Sequence, residues 1–133
     1  MKKVIFILLA VIAAVLVIKF QSTDPFRNDN IIVTAPVMGQ KIDSPLSVTG
    51  AARGPWFFEA SFPIELLDGG GAVISRGLGT AQAEWMTTDF VPFIANLTFP
   101  SQISGTVGKL ILRKDNPSGL PEHDDSVTIL VRF

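Results

Sequence analysis

The segment KDNPSGLPEHDDS, Lys114–Ser126, is the densest cluster of polar and charged side chains in the chain. It holds the only histidine, His123, and five hard oxygen donors: Asp115, Asn116, Glu122, Asp124 and Asp125. Calcium is bound by roughly six to eight such oxygens, so a calcium-dependent ligand site is one expectation here. The spacing is not that of an EF-hand, because proline and glycine stand where further ligands would fall. His123 alone cannot make a zinc site, which draws on several N, S or carboxylate ligands. The plainer reading, and the one these residues favour, is a rigid turn. Pro117, Gly119 and Pro121 set its path, and Asp115 and Asn116 bond nearby backbone amides. A partner-binding loop is the third reading.

Catalytic chemistry finds little support. There is no cysteine and no serine in a G-x-S-x-G setting, and a Ser-His-Asp triad would have to use His123. Glu59 and Glu65 are expected on one strand face but six residues apart, about 20 Å. Glycoside hydrolysis needs its carboxylates roughly 5 to 10 Å apart. Glu84 and Asp89 belong to EWMTTD, which reads as a turn capped by Thr87 or Thr88. A hydrolase is therefore only a remote alternative, and no catalytic residue is expected. RGPWFFEA offers a binding candidate instead. Alternation turns Phe57 away from Trp56 and Phe58, so Phe57 is expected at the surface beside Arg53 and Glu59, a candidate sugar or protein contact. The plainer alternative is that a loop or the segment near the N-terminus covers Phe57. Asn96 in NLT reads as an ordinary strand face.

These residues need a frame, and period-two alternation supplies it from Ile31 onward. NIIVTAP, PLSVTGAAR, WFFEASFPIELL, AVISRGLGTAQA, FVPFIANLTF, GKLILRK and SVTILVRF read as strands, with DGGG giving a hairpin turn at positive φ. In WFFEASFPIELL the inward set is expected to be Trp56, Phe58, Ala60, Phe62, Ile64 and Leu66. Pro63 and Pro92 fall inside strand patterns, which places those strands at edges or bulges. About seven strands with turn signals between them, and no sustained helical periodicity, predict an all-β, immunoglobulin-like β-sandwich with Trp56 in its core.

The first 20 residues differ in kind. MKKVIFILLAVIAAVLVIKF opens with two lysines and runs without a polar residue from Val4 to Ile18, 15 residues. As a helix that run spans about 22 Å, short of a roughly 30 Å hydrocarbon core. Lys19 and Phe20 extend it, and no small-x-small cleavage site follows. Residues 1–20 are expected to be an uncleaved signal anchor rather than a cleaved signal peptide, residues 21–30 a polar stalk, and residues 31–133 the β-domain. That arrangement predicts a single-pass membrane protein with an extracytoplasmic domain, secreted if the signal is cut. From Gln21 onward 8 basic residues face 12 acidic ones, a net charge of −4, which argues against a nucleic-acid partner. Without cysteines an exported domain must rely on its packed core.

Three stretches in order, GAARGPWFFEASFPIELLDGGG, AEWMTTDFVPFIANLTF and LRKDNPSGLPEHDDSVTILVRF, resemble the immunoglobulin-like domain family associated with bacterial spore germination. The resemblance spans Ile31 to Phe133. It implies a non-enzymatic, extracytoplasmic β-sandwich, found alone or beside other surface modules. It carries over no catalytic or ligand residues, and no germination role, since such domains also occur in bacteria that form no spores. The expected function is binding or structural support at the cell envelope, with an envelope protein or polysaccharide as partner.

Overall fold

A computed structural model describes residues 23–133. The expectation for residues 1–20 lies outside them. Among the described residues no helix is long and apolar enough to cross a membrane.

Among the described residues nine strands form: β1 (Phe26–Arg27), β2 (Ile31–Ala35), β3 (Gln40–Lys41), β4 (Leu46–Arg53), β5 (Ser61–Leu67), β6 (Val73–Ala81), β7 (Phe90–Leu97), β8 (Val107–Arg113) and β9 (Ser126–Arg132). Seven of them answer to the seven alternating segments. The other two are two residues each, too short for alternation to show. β1 falls within the expected stalk, and Phe26 packs against the core, so the fold begins before Ile31.

The order is β1-β2-β4-β7-β6-β5-β8-β9-β3 in one continuous sheet. Among these nine strands only β3 and β9 pair in parallel. The two separate layers of a sandwich are thus joined, where Thr80 and Ala81 of β6 pair with Ile94 and Phe93 of β7. The sheet curls so that β2, β4 and β7 share one apolar cluster with β5, β8 and β9. Alternation holds well along the later strands: Val91, Phe93, Ala95, Leu97, Leu110, Leu112, Val127, Ile129, Val131 and Phe133 are all buried.

Phe62 is the hub. Its ring meets Phe93, Phe57 and Trp56 edge-on at centroid distances of 4.9, 5.3 and 6.3 Å. The glycines that make β6 look weak have a use here, since a Cβ at Gly79 would run into the Phe62 ring. Neither proline strand is an edge, and of the two only β5 carries a register shift, against β6 between Leu66 and Leu67 and away from Pro63. Pro63 stands one residue beyond Ile64, where the pairing of β5 with β8 stops. Pro92 lies beyond the two paired residues of β7 and β6, and its carbonyl accepts from Gln82 N at 2.8 Å. The ladder ends where an N–H would be missing.

WFFEASFPIELL is not one strand. Gly54–Trp56 form a 3₁₀ turn. Phe58 and Ser61 then exchange backbone bonds of 3.0 and 3.2 Å around a tight reversal. Glu59 and Ala60 take φ of 49° and 66° there, so β5 starts only at Ser61. The reversal shifts the alternation by one, which buries Phe57 at 3% exposure and turns Phe58 out at 42%. The expected surface position of Phe57 and inward position of Phe58 are both corrected.

Candidate functional site

The connections after β1, β4, β6 and β8 gather at one pole of the sheet. Arg53, the last residue of β4, ties three of them. Its backbone N donates to Asn30 O at 2.9 Å, its Nε to Asp29 O at 2.9 Å and its Nη1 to Thr88 O at 3.2 Å. Its guanidinium lies 4.3 Å from the Phe90 ring centroid. Gly54 donates to Asp89 O at 3.1 Å in a space so tight that a Cβ would collide with the carbonyls of Trp85 and Thr87. EWMTTD is the local turn its residues suggest, with Glu84 accepting from Met86 N and the Thr87 hydroxyl from Asp89 N, both at 3.1 Å.

The fourth connection is Lys114–Asp125. It docks on the pole through Asp115 N, which donates to Trp56 O at 3.0 Å, and closes on itself through Lys114 N to Asp125 O at 2.9 Å. Asn116 is its organiser. The amide donates to Leu120 O and to Asp124 Oδ1, each at 2.8 Å, and Asn116 Oδ1 accepts from the Ser118 hydroxyl. Gly119 takes φ of 66°, and Pro121–His123 make a 3₁₀ turn. A hairpin connection of internal bonds is what the proline, glycine and asparagine content implies.

Between these connections lies a cavity of about 240 Å³, lined by Asn30, Arg53, Pro55, Trp56, Thr88, Lys114 and Asp125. Its wall joins the two segments that the sequence singles out: RGPWFFEA gives Arg53 and Trp56, and the 114–126 segment gives Lys114 and Asp125. Trp56 is 2% exposed, and its Nε1–H has no acceptor among the described residues. Lys114 Nζ donates to His123 O at 3.2 Å, leaving further ammonium N–H groups. The cavity therefore combines a proline surface, over a nearly covered indole, with a guanidinium, an ammonium, an amide, a hydroxyl and one carboxylate. Such a wall can orient a small polar group by hydrogen bonds.

The sequence candidates scatter. Arg53 and Asp125 reach the cavity. Glu59 is exposed on the reversal, and no longer shares a strand face with Glu65. Glu65 lies on β5 in ion pairs with Arg113 at 2.9 Å and Arg76 at 3.7 Å. Asp115, Asn116, Glu122, Asp124 and Asp125 do not converge as a calcium shell. No three histidines or carboxylates among the described residues are grouped to hold a metal, and one Asp124 oxygen is already taken by Asn116. Sequence reasoning misses the contributions of Asn30, Pro55, Thr88 and Lys114, because they come from four separate connections that only the folded sheet brings together.

Comparison with curated proteins and with solved structures finds no match. Comparison with family patterns does: the immunoglobulin-like domain of bacterial spore germination matches residues 30–119. The match ends inside the β8–β9 connection, short of the Phe133 reached by the resemblance. It takes in the aromatic hub, the reversal after Trp56 and the connections that follow β4 and β6. With most of its length matched, the chain belongs to the family of immunoglobulin-like domains of bacterial spore germination.

Proposed function

We propose that the chain is a non-enzymatic, membrane-tethered module that recognises a partner outside the cytoplasm, at the bacterial cell envelope, through the loops of the pole. One observation carries this reading. Arg53–Trp56 and Lys114–Asp125, the two segments richest in binding chemistry, lie far apart in the chain and meet in a single cavity around Trp56. Loops held on a rigid sheet are the usual place for recognition. Two facts about the chain support the remainder: the apolar run Val4–Ile18 behind two lysines, and membership of a family of immunoglobulin-like domains.

Two measurements test the reading. Alkaline carbonate extraction of the full chain from cell membranes reads the tether: retention in the pellet is expected, and release into the supernatant overturns it. Pull-down from envelope extract reads recognition, comparing wild type with a Lys114→Ala/Asp125→Ala variant whose fold is checked by circular dichroism. An envelope polysaccharide or protein held by wild type and lost by the folded variant is expected. Equal capture by both moves recognition away from the cavity.

A further inference from the structure

Charge is not spread evenly over this fold. Residues 23–133 carry 8 lysines and arginines against 12 aspartates and glutamates, a net −4. β6, β5, β8, β9 and β3 turn one side to the core and the other outward. Register places Arg76, Glu65, Lys109, Arg113, Arg132 and Lys41 on the outward side, with Glu65 opposite Arg76 and Lys41 beside Arg132. Five of the 8 cations thus share one sheet face with a single carboxylate, and that carboxylate is already bridged by Arg113 and Arg76. The remaining surface is left with three cations and eleven carboxylates. Between the cations the same face exposes Leu78, Val107 and Leu130, at 56%, 41% and 37%.

Cations interleaved with exposed aliphatic side chains suit an anionic, partly apolar interface. We propose that this face docks on the anionic headgroups of the bilayer to which the chain is tethered. The choice of a bilayer over other polyanions rests on the tether reading. Residues 21–25 are all that separate Phe20, the end of the apolar N-terminal segment, from β1 at Phe26. Five residues reach at most about 17 Å, so the domain is held against the headgroups. The pole has the opposite sign: its connections at 28–30, 54–60, 82–89 and 114–125 carry eight carboxylates and one lysine. Docking through the basic face leaves that pole repelled from the lipid and open to a partner.

The test uses residues 23–133, which contain every core residue of the described fold, with vesicles of phosphatidylcholine with and without phosphatidylglycerol. Co-sedimentation with the anionic vesicles only is expected, and it should weaken as salt rises. Lys109→Glu and Arg27→Glu change net charge equally, but Arg27 lies on β1, in the other half of the sheet. Each unit of charge near an anionic surface is worth about fivefold in binding. Lys109→Glu is therefore expected to weaken binding about 25-fold, and Arg27→Glu to leave it nearly unchanged. Equal losses in the two variants, equal binding to neutral vesicles, or no binding to either overturn the proposal. Retention by soluble polyphosphate without vesicle binding overturns it in favour of a polymer, and self-association in sedimentation overturns it in favour of a second copy. Because this chain lacks residues 1–22, the result is independent of the carbonate extraction that reads the tether.

Discussion

At Trp56 two demands meet. The ring belongs to the aromatic hub and is 2% exposed, yet its N–H has no acceptor among the described residues. Trp56→Ala is expected to destabilise the fold by about 3–5 kcal/mol, read as a lower denaturation midpoint. Trp56→Phe keeps a ring against Phe62 while removing the unpaired N–H, whose burial costs about 1–3 kcal/mol, and should cost less than alanine. The burial of Trp56 was expected from alternation but has another cause, since Trp56 lies in the 3₁₀ turn before the strand and packs edge-on against Phe62. That of Phe57 was not expected, because alternation is read by counting and the left-handed residues Glu59 and Ala60 reset the count. The acidic cluster was legible as a turn because its proline, glycine and asparagine set the path of the chain, and Asn116, Asp124 and Asp125 spend side-chain oxygens or N–H groups on the loop itself. Calcium and chelator should accordingly give the same melting midpoint, since any ion held only by the folded state raises it.

Among the elements, the β8–β9 connection is held by its own polar bonds, whereas β6 uses glycine to pack closely on the Phe62 ring. Asn116→Ala removes three side-chain bonds from the connection, to Leu120 O, Asp124 Oδ1 and the Ser118 hydroxyl. It is expected to cost about 1 kcal/mol and to speed amide exchange at Gly119, leaving exchange in β8 and β9 unchanged. Gly79→Ala sets a methyl against the Phe62 ring and is expected to cost about 1–3 kcal/mol by overpacking, seen in the same denaturation experiment. Seven strands could be read from the sequence because each is long enough to alternate several times. β1 and β3 could not, because two residues have no period and their pairing is decided by the strands they meet.

For the whole molecule, the cavity and the basic face share one explanation for staying hidden in the sequence. Each is assembled from elements far apart in the chain, so only strand order places Lys41 beside Arg132 and Asn30 near Lys114. Strand order also separates the extent of the family match from the extent of the fold. A chain ending at Gly119, where the match stops, lacks Val127, Ile129, Val131 and Phe133, all buried. It is expected to show no cooperative unfolding transition by circular dichroism.

The two shortest strands have a consequence for crowding. A single open sheet has two rims, and rows of unpaired backbone groups on a rim invite other chains to add on. Here β1 covers part of β2, and Asn28 caps Ile31 on both sides, donating from its N at 3.0 Å and accepting at its Oδ1 at 2.8 Å. On the far rim Gly39 N and Ile42 N donate to Leu130 O and Arg132 O at 2.7 and 2.8 Å, and the Met38 thioether receives Leu130 N at 3.2 Å. Both rims are thereby blunted by the chain itself. Copies concentrated side by side on one surface can then sit close together without zipping into aggregates.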